Sequence, residues 1–243
     1  MAQKLSILII FALFITMGIS TTRGSVMASE SEGTIYTGTP DIFDSYYMKQ
    51  KHNLKIFSND LKVEPNNQLH YGDIWVRDIA PVITNRIVKF KYAPSYLDSS
   101  FELSINKRFN KWLRNQNLDI IKSDIILDGG NFVYNNKETV IITKRILSDN
   151  YQYDQKTLIR KLKKILNVKN IILINEEPGD ILGHADGMVN FINSNTLLIS
   201  SFEGVDTVKQ QIRNILPNGS YVNNSDIKIR INFEKRFNYL TYW

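Results

Sequence analysis

From about residue 70 onward, apolar positions fall into short runs that switch between two spacings. Runs at 74–84 and 86–92 are rich in Ile, Val, Phe and Tyr and predict strands. Phe101, Ile105, Phe109, Trp112 and Leu113 then recur three or four residues apart, which predicts a helix over 101–115. The order returns at 124–134 and 138–143, two strand-like runs joined by the turn Asn135-Asn136. A helix is expected over 154–166, on Leu158, Leu162, Ile165 and Leu166, followed by a buried strand at 170–175. A third copy runs through strands at 188–192 and 196–200, a helix at 205–215 and a strand at 227–233.

Each copy therefore reads strand, strand, helix, strand. Short turns make antiparallel pairs, and the helix crosses over to a further strand. Full repeats are expected near 74–120, 124–175 and 186–233, within one domain over 29–243. No single unit can bury its own apolar face, so the units must pack on one another. Residues 41–58 supply only a possible helix and a strand at 54–58, the back half of a unit. The aromatic run 239–243 stands where a new strand pair would begin. Either a further C-terminal segment is expected, or this run docks as a last edge strand.

The N-terminus follows a different pattern. Lys4 precedes a largely apolar run at 5–19, with Val26 and Ala28 at plausible cleavage positions. Residues 1–28 thus read as a secretory signal, giving a secreted or extracytoplasmic protein without stable membrane association. The alternative is an uncleaved anchor through 5–19, which is short for a membrane span.

Composition narrows the chemistry. The 243 residues are 43% hydrophobic and 22% charged, as in a folded protein with a sizeable core. The formal charge of +6 is concentrated in stretches such as 157–169, with Arg160, Lys161, Lys163, Lys164 and Lys169. A solvated helix face explains this without a nucleic-acid partner, because no nucleic-acid-binding motif accompanies it. The count of cysteines is zero. Disulfides, thiolate metal sites and catalysis by a thiolate of this chain are excluded.

Polar residues gather at matching points of the repeats. Asp73, Trp75, Arg77 and Asp78 open the first unit, Asp128, Gly129, Gly130 and Asn131 the second, and His184 and Asp186 the third. If equivalent ends converge, Asp78, Asp128, His184 and Asp186 face one cavity. Carboxylates held together need a cation. A metal is one solution. A guanidinium is another, since its planar fork matches carboxylates in bidentate geometry. His184 could pass a proton to a leaving amine, and Trp75 could stack on a flat cation. The plainer alternatives are an ion-pair network of Asp73, Arg77 and Asp78, core packing for Trp75, glycines that relieve crowding, and a satisfied buried pair of His184 and Asp186.

The stretch from Tyr71 to Pro81 resembles the tryptophan-x-arginine-aspartate-x-glycine-proline block of the agmatine deiminase and bacterial-type peptidylarginine deiminase family. Asp128-Gly129-Gly130-Asn131 resembles its acidic-glycine-glycine-asparagine block, and Gly183-His184-Ala185-Asp186 its glycine-histidine-x-aspartate block. The resemblance implies a pentein fold, an α/β-propeller of strand-strand-helix-strand modules, here incomplete at the C-terminus. It implies that Asp78 and Asp186 clamp a guanidinium and that His184 is the general acid and base. Trp75, Asp128 and Asn131 would line the substrate, with Arg77, Gly129 and Gly130 organising the site. The reaction implied is cysteine attack on the guanidine carbon, loss of ammonia and hydrolysis of the adduct. That takes agmatine, as in putrescine biosynthesis, or a peptidyl-arginine side chain to its carbamoyl or citrulline product. No cofactor or metal is implied.

Three departures stand out. Asp128 occupies a position that often holds Glu, and Ala80 one that usually holds Gly. The family's cysteine block, near its C-terminus, has no counterpart. The chain as given is therefore expected to be inactive. A noncatalytic guanidinium-binding protein and a carboxylate–histidine metal hydrolase are the alternatives.

Overall fold

The computed structural model describes residues 35–41, 45–60 and 63–223. Within them, three complete modules follow the back half of another. The half-module is β1 (Thr37–Pro40), helices α1 (Ser45–Met48) and α2 (Lys51–Asp60), and β2 (Gln68–Gly72), with β1 and β2 parallel. Module one is a helical turn α3 (Val76–Ile79), β3 (Val82–Ile83), β4 (Ile87–Lys91), α4 (Ser99–Arg114) and β5 (Ile120–Ile126). Module two holds a 3-10 turn (Gly129–Asn131), β6 (Val133–Tyr134), β7 (Thr139–Thr143), α5 (Arg145–Asp149), α6 (Gln155–Leu166) and β8 (Asn170–Ile174). Module three holds β9 (Val189–Phe191), β10 (Thr196–Ile199), α7 (Val205–Arg213) and β11 (Ser220–Asn223). In every complete module the first two strands are antiparallel and the third runs parallel to the second.

Local chemistry explains the repetition. Asn135 Oδ1 accepts from the N–H groups of Lys137, Glu138 and Thr139 and closes the β6–β7 hairpin. Asn193 Oδ1 does the same for Asn195 and Thr196 before β10, and Thr84 Oγ1 accepts from Arg86 before β4. The crossover helices are capped by side chains: Asp98 accepts from the N–H groups of Ser100 and Phe101, Asp154 from that of Thr157. Their buried stripes are Ile105, Phe109 and Leu113 in α4 and Leu158, Leu162 and Leu166 in α6.

The modules stack through three apolar clusters. Leu69 and Tyr71 of the half-module meet Ile79, Ile105 and Phe109 of module one. Val88, Phe90 and Ile125 of module one meet Val140, Leu158 and Leu162 of module two. Ile141, Ile172 and Ile174 of module two meet Leu197, Val208 and Ile212 of module three. Each β7 face thus serves a different neighbour, with Val140 and Ile142 on one side and Ile141 on the other.

Several expectations change. The run 74–84 is not one strand: Val76, Ile79 and Ala80 bury at helical spacing, and Ala80 N–H bonds to Val76 O. The run 124–134 divides, because β5 pairs with β4 and closes module one, while Gly129–Asn131 turns the chain into β6. Residues 54–58 lie in α2, and β1 and β2 supply the strands of the half-module. In module three the strand beside β10 is β11; 227–233, the run 239–243 and the segment 1–28 lie outside the described residues. The described residues thus hold mixed β/α repeats that resemble pentein modules, and no closed propeller forms among them.

Candidate active site

The three motif blocks occupy equivalent places, each in the turn that feeds the first strand of its module. Backbone bonds lock them together. Asp78 Oδ1 accepts from Gly130 N–H at 3.0 Å, and Asp186 N–H donates to Gly130 O at 3.1 Å. Arg77 donates from Nε to Gly129 O at 3.1 Å and from Nη2 to Phe132 O at 3.0 Å. The glycine pair is the strut on which the other two blocks rest, and it must lack side chains. A Cβ on Gly129 would overlap Arg77 O; one on Gly130 would overlap the His184 ring and come within 2.6 Å of Asp78 Oδ1.

His184, buried, stands between carboxylates. Its Nε2 lies 3.1 Å from Asp128 Oδ2 and its Nδ1 3.9 Å from Asp78 Oδ1. Burial opposes the charged imidazole, but Asp78, Asp128 and Asp186 outweigh it and push His184 up to about 9. Burial also pushes Asp78 up to about 7, with Asp186 and Asp128 adding to it and His184 and Arg77 opposing. Asp186, partly exposed, is raised by the same loss of water. Asp78 and Asp186 are therefore harder to ionise than ordinary carboxyls, while the imidazole between them and Asp128 keeps its proton more readily.

Asn131 belongs to the same set of turns, while the indole of Trp75 bonds away from the four, to Tyr47. Asn131 is buried, and its Oδ1 accepts from Thr143 N–H at 2.8 Å, tying the turn to the end of β7. Thr143 in turn donates from Oγ1 to Gly183 O at 2.6 Å, which holds the residue before His184. Gly183 has a φ of +63°, and Asp180 accepts from the N–H groups of Leu182 and Gly183 to shape that approach. Trp75 donates from Nε1 to Tyr47 OH at 3.1 Å, and Tyr47 donates to Asp73 Oδ1 at 3.0 Å.

Three nearby residues had no sequence signal. Tyr96 donates its O–H to Asp128 Oδ2 at 2.8 Å and sets its ring 6.3 Å from that of His184. Burial pushes this phenol far up, so it stays a donor. Lys89 is buried in β4 and donates to Phe90 O at 2.9 Å; burial pulls it down to about 8, against the charge of Asp128. Arg145 spans two loops beside the site. Nothing short of the tertiary contacts distinguishes these from ordinary loop and strand residues. Among the described residues, no group of three or more His, Cys, Asp or Glu side chains is arranged to hold a metal ion, which leaves the metal-hydrolase alternative without a centre.

Comparison with solved structures finds this arrangement of modules elsewhere. The C. jejuni agmatine deiminase superposes with a TM-score of 0.64 at 16% identity, over 77% of this chain and 69% of that one. A cysteine-to-serine variant of the C. jejuni enzyme with substrate bound gives 0.61 at 15% identity, over 77% of this chain and 69% of that one. The agmatine deiminase of Enterococcus faecalis gives 0.55 at 20% identity, over 70% of this chain and 55% of that one. At such identities these likenesses establish the fold. No curated protein matches by sequence. The family model for Porphyromonas-type peptidyl-arginine deiminase matches residues 47–225, a span that contains all three motif blocks. The chain belongs to that deiminase family, within the pentein superfamily, and has no cysteine to serve as its nucleophile.

Proposed function

We propose that this chain binds the guanidinium of a small guanidino compound or of an arginine side chain, at the site built for guanidine C–N hydrolysis. The observation that carries the proposal is the convergence of Asp78, Asp128, His184 and Asp186 from three modules. Asp78 and Asp186 grip the planar cation from two sides, and their raised pKa values fall back once its charge arrives. His184, charged at neutral pH, is poised to protonate a leaving nitrogen, with Asp128 holding it through Nε2. Asn131 and Arg77 brace the turns, and Trp75, two residues before Arg77, has its indole N–H tied to Tyr47.

The hydrolytic step needs a potent nucleophile on the guanidine carbon, and a thiolate is the side chain suited to it at neutral pH. With no cysteine, this chain holds the cation and orients it without forming the covalent adduct. The reading includes export through residues 1–28, supported by the basic start and apolar run; N-terminal sequencing of the exported protein tests it.

Calorimetric titration with agmatine and with N-acetyl-arginine amide, alongside an ammonia assay, checks the binding reading. Saturable heat at millimolar ligand or below, without ammonia, is expected. Absence of heat with both ligands rules out the site as a guanidinium clamp, and ammonia release would show that a nucleophile other than cysteine acts here.

A further inference from the structure

The structure assigns Arg145 as a positioning residue that clamps the two loops controlling the Asp128–His184 pair. The role rests on the guanidinium-site reading. Arg145 begins α5, outside all three motif blocks, yet its guanidinium reaches three separate segments. Nη2 donates to Ser95 Oγ at 2.8 Å, in the turn between β4 and α4. Nη1 donates to Ile181 O at 3.3 Å and lies 3.7 Å from Glu176 Oε2, both in the loop that leads to His184. Nε faces Asp149 Oδ1 of its own helix at 3.5 Å.

What lies next to each contact gives the clamp its consequence. Ser95 adjoins Tyr96, whose O–H bonds to Asp128 Oδ2. On the other side, Gly183 packs against Glu176 and Arg145 so closely that a Cβ there would come within 2.8 Å of Glu176 Oε2 and 3.4 Å of Arg145 Cβ. His184 is the next residue. Asp128 takes both of its bonds, from Tyr96 and to His184, on Oδ2, while Oδ1 is buried without a partner among the described residues. The orientation of this carboxylate therefore depends on two residues, Tyr96 and His184, each carried on a segment that Arg145 contacts. A guanidinium can do this because its donors diverge in a rigid plane; a lysine ammonium, a point charge on a flexible stem, cannot span both loops.

Arg145→Lys separates geometry from charge, since it keeps the positive charge and loses the fork. The groups facing His184 are Asp78, Asp128, Asp186 and the Tyr96 ring. Loosening Asp128 should move the His184 imidazole titration, followed by NMR without ligand, down toward the ordinary histidine range. The chain has three histidines, so His184→Gln assigns the signal. Agmatine affinity, by calorimetry on the same protein, should weaken about tenfold. Combining Arg145→Lys with Tyr96→Phe should weaken it no further than the worse single variant, because both act on Asp128. Ser95→Ala, which removes one contact only, should weaken binding mildly and become silent in the Arg145→Lys background.

An unchanged His184 titration in a folded Arg145→Lys protein overturns the assignment, as does strict additivity with Tyr96→Phe. Should Arg145→Lys fail to fold, additivity of Ser95→Ala with Tyr96→Phe overturns it and non-additivity supports it. If the unaltered protein binds no agmatine, the guanidinium reading fails, while the ligand-free titration still decides the role of Arg145.

Discussion

Asp78 shows how a binding group is kept in an unfavourable state by its surroundings. Its buried carboxyl is supported by Gly130 N–H yet pushed up to about 7, so at neutral pH it is partly protonated. A guanidinium needs the ionised form. Agmatine affinity should therefore rise as pH increases from 6 to 8, with proton release detectable by calorimetry in buffers of different ionisation enthalpy. Asp78→Asn should abolish binding while leaving the thermal midpoint the same or higher, because the amide Oδ1 can still accept from Gly130 and no charge is buried. A midpoint several degrees lower would mean that Asp78 chiefly stabilises the fold. His184 has the opposite sign of linkage. Its folded pKa, about 9, lies above the ordinary histidine value, so its stabilising contribution is complete below that value and fades as pH rises through 9. The stability of the unaltered protein, measured by chemical denaturation, should thus fall more between about pH 7 and 9.5 than that of His184→Gln.

Among elements, the crossover helices carry the stacking and the turns carry the chemistry. Leu158, Leu162 and Leu166 are fully buried in α6 and join module one to module two. Leu162→Ala should destabilise the protein by roughly 2–5 kcal/mol, measured by chemical denaturation. If the cost were below about 1 kcal/mol, the helix would not be the stacking element described here. These helices were legible in advance because their apolar spacing is local; their Asp caps were seen only in the structure. The segments around Asp78 and Asp128 were not. At 74–84 and 124–134 an apolar, β-rich run hides a break, and only burial of Val76 and Ile79 beside the half-module, or the close approach of Arg77 to Gly129, makes the chain turn there. Such contacts are invisible to periodicity within a run. The same holds for 54–58, whose Ile and Phe suggest a strand but which lies within a ten-residue helix.

At the scale of the whole molecule, the order of modules and the motif blocks followed from the sequence alone. Repeated spacing is a property of the chain, and Asn-turns and apolar stripes act over four residues or fewer. The absence of cysteine was equally fixed, and with it the expectation of binding without ammonia release. Tertiary structure decided the rest. It set the three turns against one another through Gly129 and Gly130, made Asp128 the partner of His184, and brought in Tyr96 from a loop and Arg145 from the start of α5, both outside the motif blocks. Among the described residues the modules form no closed propeller. These outcomes depend on groups separated by 50 or so residues meeting where water is excluded. There, loss of hydration and nearby charge set the protonation of each acid, and neither can be counted along a chain.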